Sequence, residues 1–192
     1  MNAGPTRPAA VHWIFGYGSL MWDPGFAHLE RRRAVLKGYH REFCMVSLRN
    51  RGSEEEPGLV LSLCPGGETV GIVYAYDAVA APEVLKYLDD REGLGRAHQR
   101  AVVPIHVLDA TPPHLTPSWT YLPILTWENY DCCIPLERRA ELVARGRGKI
   151  GTSYDYLRLL LGELDKLEVR DERLLELFDA AGQALRPDVA IS

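Results

Sequence analysis

The stretch Trp13-Ile14-Phe15-Gly16-Tyr17-Gly18-Ser19-Leu20 constrains the fold more than any other. Its three large apolar residues favour a pleated, buried strand. They run straight into a Gly-x-Gly and then a hydroxyl residue. Glycine reaches positive φ without steric cost, so Gly16 and Gly18 are expected to bracket a tight turn. A buried strand ending in such a turn brings backbone N–H groups close to a ligand. Aligned amides of this kind hold a carboxylate or a developing oxyanion. An ordinary turn has the same spacing, and spacing alone favours that reading. A dinucleotide fingerprint is excluded. It needs a third glycine and a following helix, whereas Asp23-Pro24-Gly25 is a turn sequence.

Further along, Glu42–Leu48, Leu59–Leu63 and Thr69–Tyr76 read as strands. Glu54-Glu55-Glu56-Pro57-Gly58 and Cys64-Pro65-Gly66-Gly67 read as the turns between them. In the third strand Val70, Ile72, Tyr74 and Tyr76 share one face, and Gly71, Val73 and Ala75 the other. Both faces are apolar, as in a closed barrel or a sheet covered by helices. Ala81-Pro82-Glu83 opens a helix with a buried Val84, Leu85, Leu88 stripe and with Lys86, Asp89 and Asp90 left to solvent. Gly93 ends it, which puts Glu92 at its last turn.

Arg100–Leu108 reads as a strand with an edge or bulge at Pro104. Ser118–Leu125 reads as its return. Helices follow from Pro135, from a cap at Thr152 or Ser153, and from Asp171. The fold class expected is α+β: a small, mostly antiparallel β-barrel surrounded by helices. Residues 11–183 form its single domain. The Pro/Ala-rich residues 1–10 are expected to be disordered, and 184–192 to form a tail.

The net charge of −4 argues against a nucleic-acid or acidic-membrane surface, and Arg31-Arg32-Arg33 reads as a solvated face or strand edge. No apolar run approaches the ~20 residues of a membrane helix, and no signal-peptide pattern opens the chain. Cys44, Cys64, Cys132 and Cys133 lack zinc spacing, and neighbouring Cys132 and Cys133 are poorly placed to bridge. Reduced cysteines in a cytoplasmic protein are the simplest expectation. None sits beside a helix start or a local His that would make it a nucleophile.

Several segments carry a family resemblance. Phe15-Gly16-Tyr17-Gly18-Ser19-Leu20-Met21-Trp22 resembles the opening signature of the ChaC-like, glutathione-specific gamma-glutamylcyclotransferases. Arg31–Arg33 through Gly38-Tyr39, Pro57–Leu63 and Tyr87-Leu88-Asp89-Asp90-Arg91-Glu92 resemble further segments in the right order. Gly151-Thr152-Ser153 with Tyr156-Leu157 resembles the last. The match runs from about Trp13 to Phe178, and its first motif and the Asp-Arg-Glu segment are the specific parts. The resemblance implies the same small barrel and an intramolecular reaction. The α-amine of a gamma-glutamyl group attacks its own side-chain carbonyl, closes 5-oxoproline and expels an amine. From glutathione that amine is cysteinylglycine. The reaction calls for no cofactor and no metal, and the partner is a small gamma-glutamyl molecule.

Two groups would meet the chemistry: a base for the ammonium, and donors for the carbonyl oxygen. The resemblance makes Glu92 the acid/base. Read without it, Glu92 is an exposed helix-terminal residue paired with Arg91 or Arg96. Tyr17, Gly18, Ser19 and Leu20 are the candidate binding loop. Tyr156 is a further candidate, or else a core tyrosine on an amphipathic helix. Arg49 and Arg51 are candidates for a substrate carboxylate, or a solvated hairpin tip. The family's Gly-Gly-Tyr after the catalytic Glu is replaced by Gly93-Leu94-Gly95-Arg96-Ala97-His98, and His98 reads as a surface residue or as a substitute hydrogen-bonding group. That departure bears on the substrate more than on the reaction. The alternatives are a cyclotransferase for another gamma-glutamyl amine or amino acid, and an inactive binding protein of the same fold.

Overall fold

A computed structural model describes residues 10–185. Strand β1 (Val11–Gly16) pairs antiparallel with β3 (Gly58–Asp77), setting Ile14 opposite Tyr74. β3 pairs antiparallel with β2 (Glu30–Ser47) along nearly its whole length. β2 meets β4 (His98–Val107), and β4 meets β5 (His114–Pro123). β5 then joins β1 in parallel at Ile14 and Trp119, closing a barrel in the order β1-β3-β2-β4-β5. Thr120 Oγ1 donates to the Phe15 carbonyl at 3.1 Å across that seam.

The alternating apolar residues of β3 are buried on both faces. Ile72, Val73, Tyr74, Ala75 and Tyr76 are all 1% exposed or less. Burying side chains of the larger kinds stabilises by about 1.5–3 kcal/mol each. The two segments expected as separate strands are one. Pro65-Gly66-Gly67 is a bulge inside β3, where the register slips between Lys37 and Tyr39 of β2. Gly38, Gly66 and Gly67 take positive φ there. A bulge bends a long strand and adds twist, which lets two strands of this length wrap a small barrel. The sequence pattern of such a bulge matches that of a turn.

Arg32 and Arg33 lie on the solvated outside of β2, paired with Glu30 and Asp109 at 2.9 and 3.1 Å. They pair with β3 but lie just before Ala34–Leu36, the stretch of β2 that pairs with β4, so the expected solvated face or strand edge is met. Pro104 stands opposite Pro117, just past the last β4 residue paired to β2, so the expected edge-like setting is met.

Helix α1 (Ala81–Glu92) begins with Pro82 in its first turn and ends at Gly93, at φ 64°. Asp89, expected in solvent, instead accepts the Tyr121 hydroxyl at 2.6 Å and Arg100 at 2.8 Å. That pairing fastens α1 to the β4–β5 hairpin. Helices α2 (Leu136–Arg145), α3 (Ser153–Lys166) and α4 (Glu172–Ala184) pack on one another and on the β2–β3 side. A two-residue ribbon, β6 (Arg147–Gly148) with β7 (Gly151–Thr152), leads into α3. Thr152 Oγ1 accepts the Asp155 N–H and Asp171 caps α4, as expected. α4 runs one residue beyond the expected domain end at 183. The expected disorder of 1–10 and the tail 184–192 otherwise fall outside the described residues, except that the Ala10 carbonyl accepts the Ala78 N–H.

The cysteine expectation is corrected. Cys64 of β3 and Cys132 of the β5–α2 connection form a disulfide across 68 residues of sequence. Cys44 lies within 4.8 Å of both sulfurs. Sequence spacing could not show this, because the long β2–β3 ladder and the Met45–Tyr130 bridge bring the three together. Burial pushes the Cys44 thiol up to about 12, against reactivity. Among the described residues no helix is long and apolar enough to cross a membrane.

Candidate active site

The loop after β1 is held by its carbonyls. Arg41 Nε donates to the Tyr17 carbonyl at 3.0 Å. The Tyr74 hydroxyl reaches the Leu20 and Met21 carbonyls at 2.9 and 3.0 Å. Arg91 donates to the Asp23 carbonyl at 2.7 Å and to the Ser19 hydroxyl at 2.9 Å. Residues Ser19–Met21 form a single 3-10 turn. Among the described residues, no backbone or side-chain acceptor takes the Gly18 or Leu20 amide. Fixed carbonyls and free donors are the arrangement an oxyanion or carboxylate site needs.

The glycines are required for a different reason from the one expected. Neither Gly16 nor Gly18 has positive φ. A Cβ on Gly16 would lie 2.5 Å from Leu20 Cβ, and one on Gly18 would lie 3.0 Å from the Tyr156 hydroxyl. Glycine allows the loop to fold back on itself and lets Tyr156 approach its backbone.

Tyr156, from the first turns of α3, is 8% exposed. Trp22 and Phe43 pack their rings 5.9 and 5.7 Å from its own, and the Arg51 guanidinium lies 5.3 Å over it. Burial, then the nearby Glu92 carboxylate, raises its hydroxyl well above the ordinary phenol range, so it stays a neutral donor. Tyr17 is raised for the same two reasons, burial first, and donates to the Tyr121 carbonyl at 2.8 Å.

Glu92 is the last residue of α1. Its side chain is 20% exposed, and its carboxylate lies 3.7 Å from Arg91 Nε. Burial raises its pKa above the usual carboxylate value, and His98 and Arg91 act against that rise. Arg91, which bonds the Ser19 hydroxyl at 2.9 Å, also lies 3.7 Å from the Glu92 carboxylate, and this sets Glu92 near the loop. A carboxyl group shifted upward exchanges its proton nearer to neutral pH than an ordinary carboxylate does.

Glu92, the Tyr17–Leu20 loop and Tyr156 are therefore gathered at one end of the barrel, and Arg51 with them. Arg49 is exposed. His98 is not a surface residue: it is 8% exposed, and its Nδ1 lies 2.8 Å from the Glu92 carbonyl. A carbonyl can only accept, so that nitrogen carries the hydrogen, and the bond fixes the tight turn after α1. Sequence reading missed Arg91 as the tie between α1 and the loop, although it stands inside the Tyr87–Glu92 segment. Two surface cavities, one against Leu161, Asp165 and Leu175 and one against Tyr154 and Phe178, lie on α3 and α4 and share no residue with this cluster.

A family model described as ChaC-like protein matches residues 12–184. The chain is 33% identical over 187 residues to the mouse glutathione-specific gamma-glutamylcyclotransferase 1, covering 95% of this chain and 82% of that one. It is 32% identical over 165 residues to the Escherichia coli glutathione-specific gamma-glutamylcyclotransferase, covering 86% and 70%. A crystal structure of the yeast gamma-glutamyl cyclotransferase specific to glutathione superposes with a TM-score of 0.82 at 22% identity, covering 91% and 96%. At that identity the likeness speaks for the barrel fold. The family model, the relatives at about one third identity and the placing of their shared motifs together in space have one conclusion: this chain belongs to the ChaC-like family.

Proposed function

We propose that this protein is a gamma-glutamylcyclotransferase that cleaves glutathione to 5-oxoproline and cysteinylglycine. The relatives named for that activity support the reaction. The observation that carries it is the juxtaposition of Glu92, with its raised pKa, and a loop whose Gly18 and Leu20 amides have no protein acceptor among the described residues.

The steps follow from these groups. The loop and the Tyr156 hydroxyl receive the side-chain carbonyl oxygen. The substrate is folded so that its own α-amine faces that carbonyl, which removes much of the entropy cost of attack. Glu92 takes a proton from the ammonium. The amine nitrogen bonds to the carbonyl carbon, and negative charge moves onto oxygen, where the fixed donors stabilise it. Glu92 passes that proton to the amide nitrogen of cysteine, the carbonyl re-forms and the carbon–nitrogen bond to cysteine breaks. The ring nitrogen, cationic since the attack, gives up its second proton through Glu92 to the leaving amine, which departs as an ammonium. Water does not enter the balance.

A cytoplasmic setting suits this substrate, because glutathione sets the thiol poise there. The test is incubation of purified protein with glutathione. Release of 5-oxoproline with cysteinylglycine is expected. Free glutamate would indicate hydrolysis and overturn the cyclisation, and turnover of only other gamma-glutamyl compounds would overturn the substrate.

A further inference from the structure

The cluster holds three arginines, and two are committed. Arg91 is taken up by Ser19, Asp23, Tyr87 and Glu92. Arg41 is 3% exposed and bound to the Tyr17 carbonyl and the Met21 sulfur. Arg51 differs. Among the described residues no carboxylate lies within ion-pair distance of it, and its one side-chain hydrogen bond, to the Thr152 carbonyl, is 3.5 Å long. Asp155, the acid nearest in charge effect, is already engaged by Thr152 and Arg158.

Arg51 is nevertheless held firmly. Its N–H donates to Ser47 Oγ at 3.0 Å. Its neighbours Arg49 and Asn50 accept the Lys149 and Ile150 amides at 2.9 and 3.0 Å. Three glycines make room for it. A Cβ on Gly58 or Gly146 would fall 2.2 or 2.8 Å from the Arg51 carbonyl, and one on Gly151 would fall 2.8 Å from Nη1. The guanidinium carbon lies 5.3 Å over the Tyr156 ring centroid, within cation–π range. The Tyr156 hydroxyl reaches the loop at Gly18, so Arg51 sits one aromatic ring away from the carbonyl-binding end.

We propose that Arg51 recognises the distal carboxylate of the peptide substrate, the one carried away on cysteinylglycine. The inference rests on the cyclotransferase reading above. Glutathione has two carboxylates. The α-carboxylate shares a carbon with the attacking amine and must stay near Glu92. The distal one lies on the leaving part, away from the reacting carbonyl. A pre-positioned, unpaired guanidinium fork matches a carboxylate in bidentate fashion. Arg51 therefore separates gamma-glutamyl peptides from gamma-glutamyl amines that lack this group.

The experiment compares glutathione with its C-terminal amide, measuring kcat/KM from 5-oxoproline release for wild type, Arg51→Ala and Arg51→Lys. Arg51→Ala is expected to lose about 10- to 100-fold on glutathione, and distinctly less on the amide. Arg51→Lys keeps the charge without the fork, and is expected to lose less on glutathione than alanine does. Should Arg51→Ala fail to fold, the lysine variant carries the same comparison. Equal fold-losses on both compounds would overturn the assignment while leaving the reaction standing. Absence of 5-oxoproline from both compounds with wild type would overturn the cyclotransferase reading, and this inference with it.

Discussion

The Arg91 guanidinium donates to the Ser19 hydroxyl at 2.9 Å, tying the end of the Glu92-bearing helix to the loop after β1. The same side chain lies 3.7 Å from Glu92. It sets both where the proposed base stands and how readily that base ionises.

Arg91→Met should separate those effects. Arg91 lowers the Glu92 pKa, so its loss lets the carboxyl rise further. The acidic limb of the kcat/KM profile should move to higher pH. Misplacement of the loop should cost on the order of 10² in rate as well. A variant with lower activity and an unmoved pH profile would mean that Arg91 acts only by holding the loop.

Gly18→Ala should lower turnover by about 10², with little change in melting temperature. The fold should survive because Gly18 has no positive φ to be strained. The added methyl would meet the Tyr156 hydroxyl at 3.0 Å. In a Tyr156→Phe background the same change should therefore cost less. Simple additivity of the two in a double-mutant cycle would argue that they do not share a site.

Thiols are expected to take no part in the chemistry. Replacing Cys44, Cys64, Cys132 and Cys133 by Ser should leave turnover per folded molecule largely intact. Stability should fall, because the Cys64–Cys132 bridge closes a long loop and such bridges typically stabilise by about 2–4 kcal/mol. Thermal melts with and without a reductant check the second point. A folded variant without activity would reveal a cysteine role that this mechanism lacks.

Much of the barrel was legible because burial on both faces leaves a two-sided apolar pattern, as along Ile72–Tyr76. The helix ends at Gly93, Thr152 and Asp171 were legible because caps are local. The bulge at Gly66-Gly67 was not, since bulge and turn use the same residues. Glu92, the loop and Tyr156 were named from the family resemblance, and only the fold brings them together. Asp89, His98 and Cys64 were misread for one reason: their partners lie on other elements. The role expected for Gly16 and Gly18 was right in residue and wrong in cause. Close approach, not φ, demands them.

Glu92 makes opposite predictions for stability and activity. Its folded pKa is raised, so the folded state favours the protonated form. Below the unfolded value both states are protonated and nothing is lost. As pH rises through the unfolded pKa toward the folded one, the unfolded chain ionises first and stability falls. Gln at this position carries no charge. Glu92→Gln should therefore melt at or above the wild-type temperature near neutral pH, with the difference vanishing below about pH 4.

The central claim is tested most directly by 5-oxoproline release from glutathione in that same Glu92→Gln protein. The loop is untouched, so a binding titration should still register the substrate. Turnover should drop by the upper end of about 10²–10⁴ or more, because one residue both activates the amine and protonates the leaving group. Near-normal turnover in a folded Glu92→Gln would contradict the mechanism, and would return Glu92 to an ion-pair partner of Arg91.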